Sequence, residues 1–141
     1  MKPEFRRVEL RSEEPLRLRH DPACFVLTSS EELERVYGVR SLEDRVDWGE
    51  ELLLVAERGE CPTGGYRVEF RRLVLDPPGH PQGTLLAEVV ETDPRPTDFV
   101  TMMITYPRAA VAVRRLGLEK VARVVFACAP GRILTTTGVA L

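Results

Sequence analysis

The chain has 141 residues, of which 43% are hydrophobic, and its net charge is −2. This length is enough for one domain with a buried core, and the small negative charge excludes the strongly basic surface typical of nucleic-acid-binding domains. The sequence has no apolar run near the roughly 18 residues that a membrane-spanning helix needs. We therefore expect a single domain over residues 1–141 that binds neither nucleic acid nor a membrane.

The polar composition is biased. Arginine outnumbers lysine 18 to 2, glutamate outnumbers aspartate 16 to 6, asparagine is absent and glutamine occurs once. Few thermolabile amides and many ion-pairing groups are typical of thermophilic proteins, and a GC-rich genome also favours arginine. We expect a thermophilic bacterium or archaeon as the source, with short loops and a tendency to oligomerise.

The first elements are short. Residues 5–10 and 16–19 read as charged strands, and residues 23–28 as an apolar one. Ser29 followed three residues later by Glu32 forms a capping box, which predicts a helix through Tyr37 that ends at Gly38.

The centre of the chain carries the strongest strand signals. Leu52–Ala56 is continuously apolar, as expected of a central strand buried on both faces. Residues 66–70 then alternate between apolar and charged side chains, which is the pattern of a half-buried strand. The alternation changes phase at Arg71–Arg72, which predicts a β-bulge there.

The remaining strands are predicted at 84–91, 99–106, 121–128 and 133–137, the last two as a hairpin. In 99–106, Val100, Met102, Ile104 and Tyr106 share one face. Residues 107–117 carry both a helix signal, from Pro107, and a strand signal, from the AVAV alternation; we interpret them as a strand. The sum is a mainly β fold, an antiparallel β-sandwich or a partly open barrel of about eight to ten strands with one or two short helices.

The turn between residues 56 and 67 is the most unusual local feature. Two adjacent glycines after Pro62 and Thr63 allow φ > 0 and are expected to present bare amides at a loop tip. Proline-rich loops near Pro78 and near Pro96 are also expected to present backbone groups to a partner. The candidate binding residues are therefore Pro62, Thr63, Gly64, Gly65, Tyr66, Arg67 and Pro96.

The region around this turn resembles a known family. Glu57-Arg58-Gly59, PTGGY at 62–66, Pro94-Arg95-Pro96 with Phe99, and TYP at 105–107 followed by AAVAV are similar to the C-terminal domain of the PrcB family, over about 46–113. The resemblance implies a subunit that assembles around a protease, with no activity of its own. Family members are often exported, but this chain begins MKPEFRRVELRSEEP and has no lipid-attachment cysteine there, so we expect a cytoplasmic protein.

Cysteine and histidine usage argues against an enzyme, a cofactor or a metal site. Cys24, Cys61 and Cys128 are far apart and odd in number, so we expect three free thiols and no metal ligand set. Cys24 and Cys128 lie in apolar runs, and Cys61 beside the turn is expected to be the exposed one. Cys61 with His80 is the only nucleophile and base pairing worth naming.

Three functions remain open. The favoured one is a non-enzymatic protein-binding or assembly module whose partner is a protein, for instance a protease, and which itself forms a homodimer. The second is a loop-based protease inhibitor, because PTGGY is similar to an inhibitory loop of chagasin-like proteins. The third is a small-ligand binding protein or an uncharacterised enzyme, with a pocket lined by Tyr66, Phe70, Met102 and Tyr106.

Overall fold

The computed structural model describes residues 2–128 and 131–139. Within them lie eight strands and one helix: β1 Phe5–Val8, β2 Ala23–Leu27, α1 Ser30–Tyr37, β3 Glu51–Glu57, β4 Arg67–Leu75, β5 Thr84–Thr92, β6 Arg108–Arg114, β7 Arg123–Cys128 and β8 Arg132–Gly138. The mainly β fold predicted from the sequence is thereby confirmed.

The strands form two four-stranded sheets that do not close into a barrel. The first sheet has the order β1-β6-β3-β2 and the second has the order β4-β5-β7-β8. Every neighbouring pair is antiparallel except β5 and β7, which are parallel. The parallel pair arises because β6 lies between them in the chain but belongs to the first sheet, so the chain crosses over before returning.

The core lies between the two sheets. Leu54 and Val113 of the first sheet meet Phe70, Val89 and the other inward side chains of the second. Phe70 and Phe126 pack with ring centroids 6.3 Å apart. This interdigitation of two inner faces is how a β-sandwich removes apolar surface from water.

A third layer covers the outer face of the first sheet. Leu33, Val36 and Tyr37 of α1 pack with Leu53 and Val55 of β3 in a second apolar cluster. Strand β3 is thus buried on both faces, as its continuous apolar run predicts.

The predicted caps of the helix are confirmed. The N-cap Ser29 accepts a hydrogen bond from the Glu32 amide at 3.2 Å, and Gly38 ends the helix at φ 82°.

Several other local predictions are confirmed. The register of β4 on β5 shifts between Phe70 and Arg72, which is the expected bulge. Residues 108–114 form a strand, so the strand interpretation of 107–117 holds. Strands β7 and β8 pair as a hairpin, as predicted, and residues 129–130 between them lie outside the described residues.

Two predicted strands are wrong. Residues 16–19 form no strand; instead Leu16 is buried beside α1 and the Arg17 amide donates to the Tyr37 carbonyl at 3.1 Å. The buried leucine and this hydrogen bond hold the segment against the helix without a strand partner. Residues 99–106 form no strand either, apart from a single bridge at Thr105, and this second error concerns the candidate site.

Candidate functional site

The glycine turn docks onto the loop that follows β5. The Gly64 amide donates to the Thr101 carbonyl at 2.9 Å, so it is not the bare amide expected from the sequence. Gly65 has φ +90°, and a Cβ there would lie 2.8 Å from Pro94 Cβ and 2.9 Å from Val100 Cγ1. Gly65 is therefore favoured both by its positive φ and by close packing, whereas Gly64 has no positive φ and a Cβ there would lie 2.8 Å from the Thr101 hydroxyl.

A short ladder fixes the other side of the turn. Cys61 and Thr105 exchange both backbone hydrogen bonds, at 2.8 and 2.9 Å. The Thr105 hydroxyl donates to the Thr63 carbonyl at 2.7 Å, and the half-buried Thr63 hydroxyl donates to the Gly64 carbonyl at 2.9 Å. Residues 59–66 and 93–106 thus form one unit, which we call the paired loops.

The paired loops carry a row of exposed apolar side chains. Their relative exposures are 106% for Phe99, 83% for Met102, 66% for Met103 and 57% for Ile104. The sequence alternation placed Met102 and Ile104 on one face of a strand, but the segment is a loop and these side chains face solvent. Sequence reasoning therefore missed the most prominent feature of the site, although the apolar run itself was visible.

Arg58 anchors the base of the paired loops. Its side chain is only 14% exposed, binds Glu91 at 3.0 Å and Asp93, and donates to the Thr92 carbonyl at 2.9 Å. The guanidinium also lies 5.0 Å from the centroid of the Tyr66 ring. Burial lowers the pKa of Arg58, but the hydrogen bond to Asp93 together with the charges of Asp93 and Glu91 outweighs burial, so the pKa is raised and the guanidinium stays charged.

A polar cluster borders the paired loops on one side. Glu60 accepts a hydrogen bond from the Tyr106 hydroxyl at 3.1 Å, and one of its oxygens lies 3.0 Å from His20 Nδ1. The His20 and Tyr106 rings meet edge to face at 5.9 Å. These contacts hold the segment before β2 against the paired loops.

The structure places the predicted binding residues in one region, where they differ in solvent exposure. Pro62, Gly65, Arg67 and Pro96 are exposed, Thr63 and Tyr66 are half-buried, and Gly64 is buried. Pro96 lies in a turn in which the Asp98 carboxylate accepts from the Arg95 amide at 2.8 Å. This turn belongs to the same loop whose Pro94 ring contacts Gly65.

The cysteine expectations need correction. Cys61 is 6% exposed, not an exposed thiol, and burial raises its pKa, which keeps it protonated. His80 follows the far end of the nine-residue strand β4, whereas Cys61 precedes the near end. A strand of that length spans roughly 30 Å, so the pairing of Cys61 with His80 is excluded. The three cysteines are free, as predicted.

The pocket proposed for a small ligand is not formed by its four predicted residues. Phe70 lies in the core against Phe126, whereas Met102 projects into solvent with 83% exposure. Across residues 2–128 and 131–139, no three His, Cys, Asp or Glu side chains converge on a potential metal position. Within the same residues, no helix is long and apolar enough to cross a membrane.

Comparison with known proteins supports the resemblance seen in the sequence. Residues 52–114 match the family model described as PrcB C-terminal. The match covers β3 to β6 and therefore includes both paired loops. It confirms that this part of the chain is similar to the PrcB C-terminal domain. No curated protein and no solved structure matches the chain.

Proposed function

We propose that the chain is a non-enzymatic protein-binding module of a protease-related assembly, and that the paired loops are its binding face. The observation that carries the proposal is the exposure of Phe99, Met102, Met103 and Ile104 within six residues of one loop. Isolated exposed apolar residues are common, but a contiguous group is typical of a surface that binds a protein.

The rigidity of the paired loops supports this assignment. Backbone hydrogen bonds at Cys61 and Gly64 and the Arg58 cluster hold both loops in place without a partner. A surface that is ordered before binding pays less conformational entropy on association. Adjacent methionines add an adaptable apolar surface, and the exposed Arg67 and Arg95 provide a polar rim.

The family match supports the kind of partner. The matched segment contains the paired loops, and the PrcB family is related to a protease complex. We infer that the partner is a protein of such a complex, bound through an apolar patch of its own. Inhibition of a protease by insertion of the same loops is the alternative, and it predicts loss of peptidase activity in the complex.

The test is capture of partners from the source organism with tagged wild-type chain and two variants. The first variant combines Phe99→Ser and Met102→Ser; the matched control is Leu116→Ser, since Leu116 is 78% exposed outside the paired loops. We expect the loop variant to lose the proteins that the wild type and the control retain, with unchanged circular dichroism. Equal capture by all three would refute the assignment, and peptidase assays on a captured protease separate assembly from inhibition.

A further inference from the structure

The four outer edges of the two sheets differ in how they are protected. On β1, Arg6 and Arg7 are exposed, and β4 carries exposed charges and a bulge. Charges and bulges at a sheet edge discourage pairing with another chain. By contrast, β2 has the sequence ACFVL, and β8 has one charge, Arg132, which is bound to Glu91 at 2.8 Å.

Strand β2 turns hydrogen-bonding groups away from its own sheet. The Arg58 amide donates to the Pro107 carbonyl at 2.9 Å. Because hydrogen-bonded residues alternate along an antiparallel strand, the even-numbered residues of β3 form their backbone hydrogen bonds with β6, and the odd-numbered residues form theirs with β2. Their partners on β2 are Ala23, Phe25 and Leu27. The N–H and C=O groups of Cys24 and Val26 therefore point outward, and no described residue pairs with them.

Strand β8 presents a second open edge by the same reasoning. The Val139 amide donates to the Ala122 carbonyl at 3.0 Å, so the backbone N–H and C=O groups of Thr137 and Thr135 also point towards β7. The backbones of Thr136 and Gly138 then point outward.

The two open edges lie on the same side of the sandwich. A groove of about 310 Å³ runs along residues 24–28 of β2, between α1 and residues 137–139 at the end of β8. Among the residues that the structure describes, the charged ones that line it are Glu32 and Arg35, which lie 3.8 Å apart and offset each other.

We propose that a second copy of this chain covers this side, and that β2 and β8 form the seam of a two-fold dimer. A single added strand would pair with the outward backbone groups of only one of the two strands. A second copy related by a two-fold axis brings its own β2 and β8 against both open edges at once. Charge does not oppose this contact, because the only charge on either strand is the paired Arg132. The dimer seam involves different residues from the paired loops and does not depend on the proposed function.

Analytical ultracentrifugation over the micromolar range tests the dimer with variants at one position. Thr136→Pro removes an outward N–H that β7 does not use, and Thr136→Lys places a charge at the seam; Thr136→Ala keeps the N–H and is the control. We expect wild type and Thr136→Ala to be dimers, and the other two to dissociate at least ten-fold more readily while circular dichroism shows that they keep the same fold.

Amide hydrogen exchange gives an independent readout. Cys24, Val26, Thr136 and Gly138 should exchange slowly in the wild type and quickly in Thr136→Lys. A monomeric wild type, a Thr136→Lys variant that dimerises normally, or protection of these amides by a segment other than a second copy would each overturn the proposal.

Discussion

Replacing Gly65 by alanine tests whether the two loops are packed as one unit. The residue has φ +90°, which disfavours any residue with a Cβ by about 1–2 kcal/mol. The new Cβ would also lie 2.8 Å from the Pro94 ring and 2.9 Å from Val100. Overpacking of this kind costs about 1–3 kcal/mol more, because a proline ring cannot rotate away. We expect Gly65→Ala to lower the free energy of unfolding by about 2–5 kcal/mol.

Gly79 provides a matched control for that experiment. Its φ is +82°, but a Cβ there meets no atom within 4 Å. Gly79→Ala should therefore cost only the backbone contribution of about 1–2 kcal/mol. The change in unfolding free energy of each variant is to be measured by urea unfolding monitored by circular dichroism. If the two variants lose the same free energy, Gly65 is not packed against the second loop, and the paired loops are not a single unit.

Three further predictions follow from side chains of known environment. Arg58→Met should lower the free energy of unfolding by about 1–3 kcal/mol, because Asp93 and the Thr92 carbonyl lose a charged donor. The control Arg72→Met, which breaks an exposed pair with Glu88, should cost less than about 1 kcal/mol. Equal losses of stability in thermal melts would contradict the role of Arg58 as an anchor of the paired loops. Burial raises the pKa of the Cys24 thiol to about 11, from 9.0, so the contribution of the protonated thiol to the free energy of unfolding is complete below pH 9 and is lost as pH rises towards 11. Cys24→Ser should therefore flatten the fall of the unfolding free energy between pH 9 and 11, and an unchanged slope would refute the raised pKa of this thiol. Thiol titration in denaturant without reductant should find three free groups, whereas a single group would reveal a disulfide.

The sequence predicted the fold where local and tertiary forces agree. The apolar run of β3 and the capping box of α1 each have a simple physical signature, and both appear as expected. The parallel pairing of β5 with β7 has no local signature, because it depends on which sheet β6 joins. Leu16 shows the same limit, since one buried side chain cannot reveal whether its segment pairs as a strand.

At the glycine turn, the sequence predicted a constrained backbone, but the structure gives a different reason for the constraint. The glycines signalled a constrained turn, yet their constraint is contact with the neighbouring loop and not exposure of their amides. The alternation of Val100, Met102 and Ile104 predicted a strand with these side chains on one face. Alternation in a sequence records where apolar side chains are, but it does not distinguish those that face the core from those that face solvent.

Photo-crosslinking from Phe99 tests the central claim most directly. A photoreactive phenylalanine analogue at Phe99 replaces a fully exposed aromatic ring on the paired loops, and the same analogue at Leu116 serves as the control. On irradiation in cells of the source organism, the account predicts a discrete protein adduct from position 99 and none of that mass from position 116. No adduct from position 99, or the same adduct from both positions, would contradict the assignment of the paired loops as the binding face.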